Sequence, residues 1–180
     1  MAGHALVVGG TGMLRAAVVA LARDREVSVV ARPGRRVEAL ALEVPRVHAA
    51  PADWRDGAAF EAALDAAVAA RGPFDLALAW IHSDAAPGAA IAAARRVRGR
   101  FLLVLGSASA DPSRPEASRR AEFEALPGVS FHEVVLGFVV EGGRSRWLAD
   151  AEITRGVLDA IARPGPRSVV GVVTPWSARP

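Results

Sequence analysis

The stretch Leu6-Val7-Val8-Gly9-Gly10-Thr11-Gly12-Met13-Leu14 decides the fold of this chain. It joins an apolar run typical of a buried strand to a glycine turn, and the turn leads directly into a segment of helical period. Glycine permits a tight turn and lets the backbone approach a diphosphate, whose charge is stabilised by free N–H groups and the positive end of a helix dipole. The motif therefore predicts a nucleotide-binding turn; a strand-to-helix turn without a ligand is the alternative.

Short apolar runs alternate with segments of helical period along the 180 residues, which predicts a parallel sheet covered on both faces. The predicted strands are Ala5 to Val8, Val27 to Ala31, Val47 to Ala50, Phe74 to Ile81, Phe101 to Leu105, Val129 to Val140 and Ser168 to Val173. Right-handed crossovers between such strands give an α/β fold of the doubly wound, three-layer (Rossmann) kind, with a ligand crevice at the carboxyl ends of the strands. We expect one such domain over residues 1–180.

The connecting segments carry helix signals. Apolar residues recur at helical intervals in three of them: Leu14, Val18 and Leu21; Phe60, Leu64 and Val68; and Ile153, Val157 and Ile161. Turn-forming pairs are expected to close helices just before strands at Gly72-Pro73, Pro127-Gly128 and Pro164-Gly165. A cluster of arginines is expected on the solvated face and end of the fourth helix: Arg95, Arg96, Arg98 and Arg100.

The second predicted strand ends at Ala31 and is followed by Arg32-Pro33-Gly34-Arg35-Arg36. At this point NAD-specific domains place an acidic residue that binds the ribose hydroxyls. A carboxylate is missing here, and guanidinium groups bind phosphate in a bidentate manner. This favours NADP(H), with Arg32 on its 2'-phosphate and Arg35 or Arg36 assisting; simple solvation of a helix start is the alternative.

Later segments extend this pattern: Ala52-Asp53-Trp54 follows the third strand, Leu105-Gly106-Ser107 ends the fifth, and Leu136-Gly137-Phe138 and Arg146 to Ile153 come late in the chain. Together with the glycine turn, these segments resemble the short-chain dehydrogenase/reductase (SDR) family. The resemblance implies that Asp53 contacts the adenine and Ser107 is the active-site serine. It implies a cofactor site made of Gly9, Gly10, Thr11, Gly12, Met13, Leu14, Arg32, Arg35, Asp53, Trp54, Trp80, Gly137 and Phe138.

Three departures from the family pattern matter. Arg15 replaces the third glycine of the cofactor turn, where its bulk either loosens the packing of helix on strand or reaches the phosphates. Trp80-Ile81-His82-Ser83 stands where the family has an Asn-Ala-Gly or Ala-Ala-Gly stretch. The family's reductases move a proton with a Tyr-x-x-x-Lys pair, and this chain contains no tyrosine and no lysine, because all 22 basic residues are arginine. That chemistry is excluded, so the resemblance implies an atypical member of the family that lacks the Tyr-x-x-x-Lys pair.

The candidates that replace the missing pair follow the fourth and fifth strands. Histidine is the side chain suited to proton transfer near neutrality, so His82 is one candidate, and Asp84 is placed to orient it. Ser107 and Ser109 are placed to hydrogen-bond a carbonyl oxygen. A loop histidine satisfied by backbone and serines that cap a loop are the alternatives. The segment from Glu141 to Leu148 is expected to be a surface loop anchored by a buried Trp147, or else a mobile lid.

Composition limits the partners. A net charge of +3 is a weak field for nucleic acid, and no apolar run is long enough to span a membrane. The absence of cysteine and of paired histidines predicts no metal site. We expect a cytoplasmic protein that binds a small-molecule substrate and forms a homo-dimer through its alanine-rich helices.

The predicted function is that of an oxidoreductase transferring a hydride between NADP(H) and a small carbonyl-type acceptor, without a Tyr/Lys pair. The alternative is a catalytically inactive module that senses the NADP(H) ratio or binds a partner, which the missing tyrosine and lysine favour. A non-redox use of the fold, such as an isomerase, is a third possibility.

Overall fold

A computed structural model describes residues 3–81, 88–111, 117–163 and 165–180. Its strands in chain order are β1 Gly3–Val8, β2 Arg25–Ala31, β3 Val47–Pro51, β4 Phe74–Trp80, β5 Val97–Leu105, β6 Val129–Leu136, β7 Phe138–Glu141, β8 Arg144–Trp147 and β9 Arg167–Val170. In the described part of the chain, seven of these strands form one parallel sheet in the order β3-β2-β1-β4-β5-β6-β9. The doubly wound sheet predicted from the alternating pattern is confirmed.

The helices connecting the strands are α1 Arg15–Leu21, α2 Arg35–Glu43, α3 Gly57–Arg71, α4 Ala89–Ala94, α5 Ala117–Glu124 and α6 Asp150–Ala162. Local chemistry explains the ends of α3. The Asp56 side chain accepts a hydrogen bond from the Ala59 amide at 3.1 Å, and Gly72, with φ +84°, stops the helix as predicted. Pro164 lies outside the described residues. None of the helices that the structure describes has the length and apolar character needed to cross a membrane.

The sheet is buried on both faces, which gives the predicted three layers. One face packs α1, α2 and α6 against residues such as Val7 and Val29. The other packs α3, α4 and α5 against residues such as Leu6 and Val30. Successive strand residues point to opposite faces, so both must be apolar when helices cover both. This explains why residues 5–8 of β1 form a continuous apolar run rather than an alternating one.

The prediction of a single strand from Val129 to Val140 is wrong. The strand is interrupted at Gly137, where an added Cβ would lie 2.1 Å from the carbonyl oxygen of Val172. Beyond this crossing, β7 leaves the main sheet and pairs with β8 in an antiparallel hairpin. The last strand of the sheet, β9, is also shorter than predicted: it ends at Val170 instead of Val173.

The interpretation of the arginine cluster is wrong for Arg98 and Arg100, whereas Arg95 is exposed at the end of the fourth helix, as expected. The helix α4 ends at Ala94, and Arg98 and Arg100 belong to β5, which begins at Val97. The Arg100 guanidinium donates to the carbonyl oxygens of Ala160, at 2.8 Å, and Ile161. It therefore caps the last turn of α6 instead of facing solvent on α4.

Candidate functional site

The candidate site lies where the strand order reverses, between β1 and β4, at the carboxyl ends of the parallel strands. The glycine turn follows β1 there. Gly9 has φ +80°, and an added Cβ would lie 2.9 Å from the carbonyl oxygen of Trp80. The Gly9 amide donates to Val30 at 2.9 Å, which fixes this conformation against β2. Glycine is thus required at position 9 by both backbone conformation and space.

The next two glycines of the turn differ in their surroundings. A Cβ on Gly10 would meet the side chains of Val18 and Val29 at 2.9 and 3.0 Å, so its absence lets the turn pack against α1 and the sheet. A Cβ on Gly12 would meet no described heavy atom within 4 Å. Gly12 is therefore exposed to solvent, and the space beside it is open to a ligand.

The helix after the turn begins later than predicted. Residues 9–14 form turns, and α1 begins only at Arg15, whose amide donates to Gly12 at 2.8 Å. Glycine and the β-branched Thr11 are poor helix formers, which accounts for the delay. The amides of Thr11, Gly12 and Met13 donate to no other residue that the structure describes. Exposed turn amides, rather than the first turn of a helix, are what this loop offers to an anion.

A cavity of about 870 Å³ opens beside the turn. Residues from the connections after β1, β2, β3 and β4 line it: Gly9, Thr11, Gly12, Ala31, Arg32, Pro33, Gly34, Arg35, Arg36, Trp54, Arg55 and Trp80. Of the predicted cofactor residues, seven line this cavity: Gly9, Thr11, Gly12, Arg32, Arg35, Trp54 and Trp80. The structure thus brings together the glycine turn and the arginines after β2.

The arginines after β2 give the cavity its charge. Arg32, Arg35 and Arg36 are all exposed. None of the three forms an ion pair with a carboxylate in the described ranges. Arg32 interacts with the Asp53 carboxylate only at longer range, so the guanidinium groups of all three remain open to a phosphate.

Asp53 occupies a different environment from the one that the SDR resemblance implied. Both its carboxylate oxygens accept from the Arg55 side chain, with Nη2 2.5 Å from Oδ2 and Nε 3.0 Å from Oδ1. The Arg55 backbone amide adds a third bond at 3.0 Å. Hydrogen bonds from Arg55 lower the pKa of Asp53 to about 2. Arg55 lines the cavity and Asp53 does not, so the sequence analysis missed the cavity residue of this pair.

Trp54 supplies a polar group without a partner. Its indole nitrogen is buried and donates to no described residue. A buried donor left unpaired carries a free-energy penalty, and this donor belongs to a residue that lines the cavity.

Neither outcome considered for Arg15 occurs. Its guanidinium pairs with Glu43 on α2, 2.5 Å away, and does not reach into the cavity at the glycine turn. Leu14 and Val18 are fully buried beside it, so the helix is tightly packed on the sheet. The residue at the third glycine position thus joins two helices at the surface.

The indole of Trp80 extends from the glycine turn toward the serine region. Its Cη2 atom would lie 3.8 Å from a Cβ on Gly106, the residue before Ser107. Ser107 is 5% exposed, and its hydroxyl accepts a hydrogen bond from Arg179 Nε at 2.8 Å. The Ser109 hydroxyl donates to the carbonyl of Gly106. His82 and Asp84 lie outside the described residues.

The remaining predicted residues lie away from the cavity. Met13 lines a separate groove between α1 and α6, while Gly10 and Leu14 are buried under the turn. Gly137 and Phe138 pack against the segment after β9, where Phe138 exchanges backbone hydrogen bonds with Val172. The segment from Glu141 to Leu148 is a hairpin rather than a loop, and Trp147 is 48% exposed, so a buried anchor is wrong.

Comparisons with known proteins bear on the fold. No protein-family model and no curated protein matches the chain. Two variants of a Serratia marcescens short-chain dehydrogenase/reductase superpose with TM-scores of 0.65 and 0.67, each at 21% identity over 94% of this chain and 97% of that chain. A blue fluorescent protein from a metagenomic library, solved in complex with NADPH, superposes with a TM-score of 0.70 at 18% identity, over 94% of this chain and 96% of that one. At these identities, the similarities establish that the chain has the Rossmann-like α/β fold seen in these solved structures.

Proposed function

We propose that the chain binds NADP(H) in the cavity beside the glycine turn and acts as an SDR-like oxidoreductase on a small carbonyl-type acceptor. The observation that carries the proposal is the meeting, in one open cavity of about 870 Å³, of unpaired turn amides and three arginines that form no ion pair with a described carboxylate. The first feature suits a diphosphate and the second an additional phosphate. NADP(H) carries both groups.

Each part of the cofactor has candidate partners in this chain. The amides of Thr11 and Gly12 are the donors for the diphosphate, and the open space at Gly12 allows close approach. Arg32, with Arg35, is the candidate for the 2'-phosphate. Trp54, which lines the cavity after β3, is the candidate contact for the adenine. A bound nicotinamide would supply a hydride.

The acceptor side rests on Ser107 and, outside the described residues, His82. Because Arg179 donates to the Ser107 oxygen, the serine keeps its own hydrogen to donate to a carbonyl oxygen. A positive guanidinium next to that hydroxyl makes it a stronger donor. This arrangement would polarise a carbonyl without the Tyr/Lys pair.

The alternative function is an inactive NADP(H)-sensing or partner-binding module. The complete absence of tyrosine and lysine favours it, because the pair that moves a proton in the reductases of the SDR family is missing. Both functions need the same cofactor cavity. They differ in turnover, which is measured by mixing the protein with NADPH and a panel of carbonyls and quinones and following the absorbance of NADPH. Turnover that is lost in Ser107→Ala supports the oxidoreductase. Cofactor binding without turnover supports the sensor.

The cofactor assignment is tested by calorimetric titration of NADPH and NADH into the wild type and Arg32→Ala. We expect the wild type to prefer NADPH, and Arg32→Ala to weaken NADPH binding by about tenfold or more, because a charge-assisted hydrogen bond is lost, while NADH binding is unchanged. Arg163→Ala is the control, since Arg163 is also exposed and lies at the C-terminal end of α6, outside the lining of the cavity. Preference for NADH, or no heat with either nucleotide at millimolar concentration, would overturn the assignment.

A further inference from the structure

Arg179 reaches the predicted active-site serine from the other end of the chain, 72 residues away in sequence. Its Nε donates to Ser107, and its guanidinium carbon lies over the rings of Trp147 and Trp176, 5.1 and 5.3 Å from their centroids. We call Ser107, Trp147, Trp176 and Arg179 the Arg179 cluster. No SDR motif singled out in the sequence contains Arg179 or Trp176.

The fold holds this cluster together from three directions. The segment after β9 is fastened to the start of β7 by two backbone bonds between Phe138 and Val172, of 2.8 and 2.9 Å. It then forms a short 3-10 turn, Trp176–Ala178, which places Arg179 over the end of β5. The β7–β8 hairpin brings Trp147 to the same point. The guanidinium is therefore held in position before any ligand arrives.

The charge of Arg179 is not neutralised within the described part of the chain. Only Nε of its guanidinium donates to a described residue, and no described carboxylate forms an ion pair with it. Contacts with indole faces orient a guanidinium but leave its charge uncompensated. Its remaining N–H groups form a planar fork that fits a carboxylate.

We propose that the Arg179 cluster is the acceptor subsite and that it binds a 2-oxo acid through its carboxylate. The proposal rests on the function proposed above and names its substrate class. A guanidinium and a serine hydroxyl 2.8 Å apart match the two neighbouring oxygen groups of such an acid. The fork takes the carboxylate, and the Ser107 hydroxyl donates to the adjacent carbonyl oxygen. The partly exposed Trp147 ring offers apolar surface to the rest of the ligand.

The test measures binding of 2-oxobutyrate and of its uncharged methyl ester by saturation-transfer NMR, on the free protein and on protein with NADPH. We expect the acid to bind the wild type and to bind Arg179→Gln about tenfold more weakly, because the charged fork is removed. The ester should bind both proteins equally weakly. Arg179→Lys, which keeps the charge without the fork, should fall between them.

Arg144→Gln is the matched control. Arg144 is an exposed arginine on the same hairpin, so its replacement removes one nearby charge without touching Ser107. This control should bind the acid like the wild type, and both glutamine variants should stay folded, as circular dichroism would show, and keep the wild-type NADPH affinity. The proposal is overturned if Arg179→Gln binds the acid as tightly as the wild type or more tightly, if Arg144→Gln weakens it equally, or if the wild type binds no acid at all. Failure of NADPH binding alone would sink the proposed cofactor instead, since the free protein still reports on the subsite.

Discussion

Gly9 and Gly12 lie in one four-residue turn, but their replacement by alanine should have different effects. Gly9→Ala should lower the stability of the fold, and Gly12→Ala should weaken ligand binding. In Gly9→Ala, an L residue must adopt φ +80°, which costs about 1–2 kcal/mol. Its Cβ also lies 2.9 Å from the carbonyl oxygen of Trp80, an overpacking that adds roughly 1–2 kcal/mol. Reduced freedom of the unfolded chain returns about 0.4–1 kcal/mol.

The net loss for Gly9→Ala is about 2 kcal/mol, which for a chain of this size lowers the Tm by roughly 4–8 °C. Gly12→Ala should behave in the opposite way. Gly12 lies outside the left-handed region and has open space around its missing Cβ, so the variant should be as stable as the wild type or slightly more stable. Because Gly12 lines the cavity where the diphosphate is proposed, an added methyl group should hinder the close approach of the diphosphate, and NADPH affinity should fall about tenfold or more.

Thermal melts followed by circular dichroism, with calorimetric NADPH titrations of both variants, measure the two effects. A Tm for Gly9→Ala within about 1 °C of the wild type would refute the strain argument at that position. Wild-type NADPH affinity in Gly12→Ala would refute the placement of the diphosphate on the turn. A variant pair that lost both properties together would show that the turn acts as one unit and that the proposed division of roles is wrong.

Two predictions concern titration. Arg55→Gln should raise the pKa of Asp53 from about 2 toward its ordinary 3.8, because the Arg55 hydrogen bonds that favour the carboxylate are lost; carboxyl NMR titration measures it, and an unchanged pKa contradicts the pairing. His4 is buried between the Gly72 carbonyl, at 2.8 Å, and the Ser28 hydroxyl, at 2.9 Å, and burial lowers its pKa below the ordinary 6.5, as it does for His132. Below that pH the unfolded chain binds protons that the folded one does not, so stability should fall as pH drops through the interval below 6.5. Urea unfolding between neutral and mildly acidic pH checks this, with a weaker dependence expected in His4→Gln; a flat wild-type profile would count against it.

The sequence predicted the features that depend on local chemistry. A few neighbouring residues determine each of three such features: the apolar runs, the conformation at Gly9 and the end of α3 at Gly72. The sheet and the cavity where its strand order reverses follow from these features. The arginines after β2 were identified for the same reason.

What the sequence could not show depends on distant residues. The break of the predicted strand at Gly137 is caused by Val172, and the capping role of Arg100 by the end of α6. The orientation of the Arg15 side chain is set by its ion pair with Glu43 on α2. The contact of Arg179 with Ser107 has no local signal, because only the path of the segment after β9 brings the two together.

The burial of the sheet on both faces has a consequence for how this chain can change. Folding free energy comes largely from the two apolar layers, whereas the residues proposed to meet ligands stand in the connections beyond the strands. Replacing a proton donor in a connection therefore alters reactivity while leaving the scaffold nearly as stable. A chain with this architecture can lose one catalytic activity, or acquire another at the same ends of the strands, without a large change in the stability of its fold.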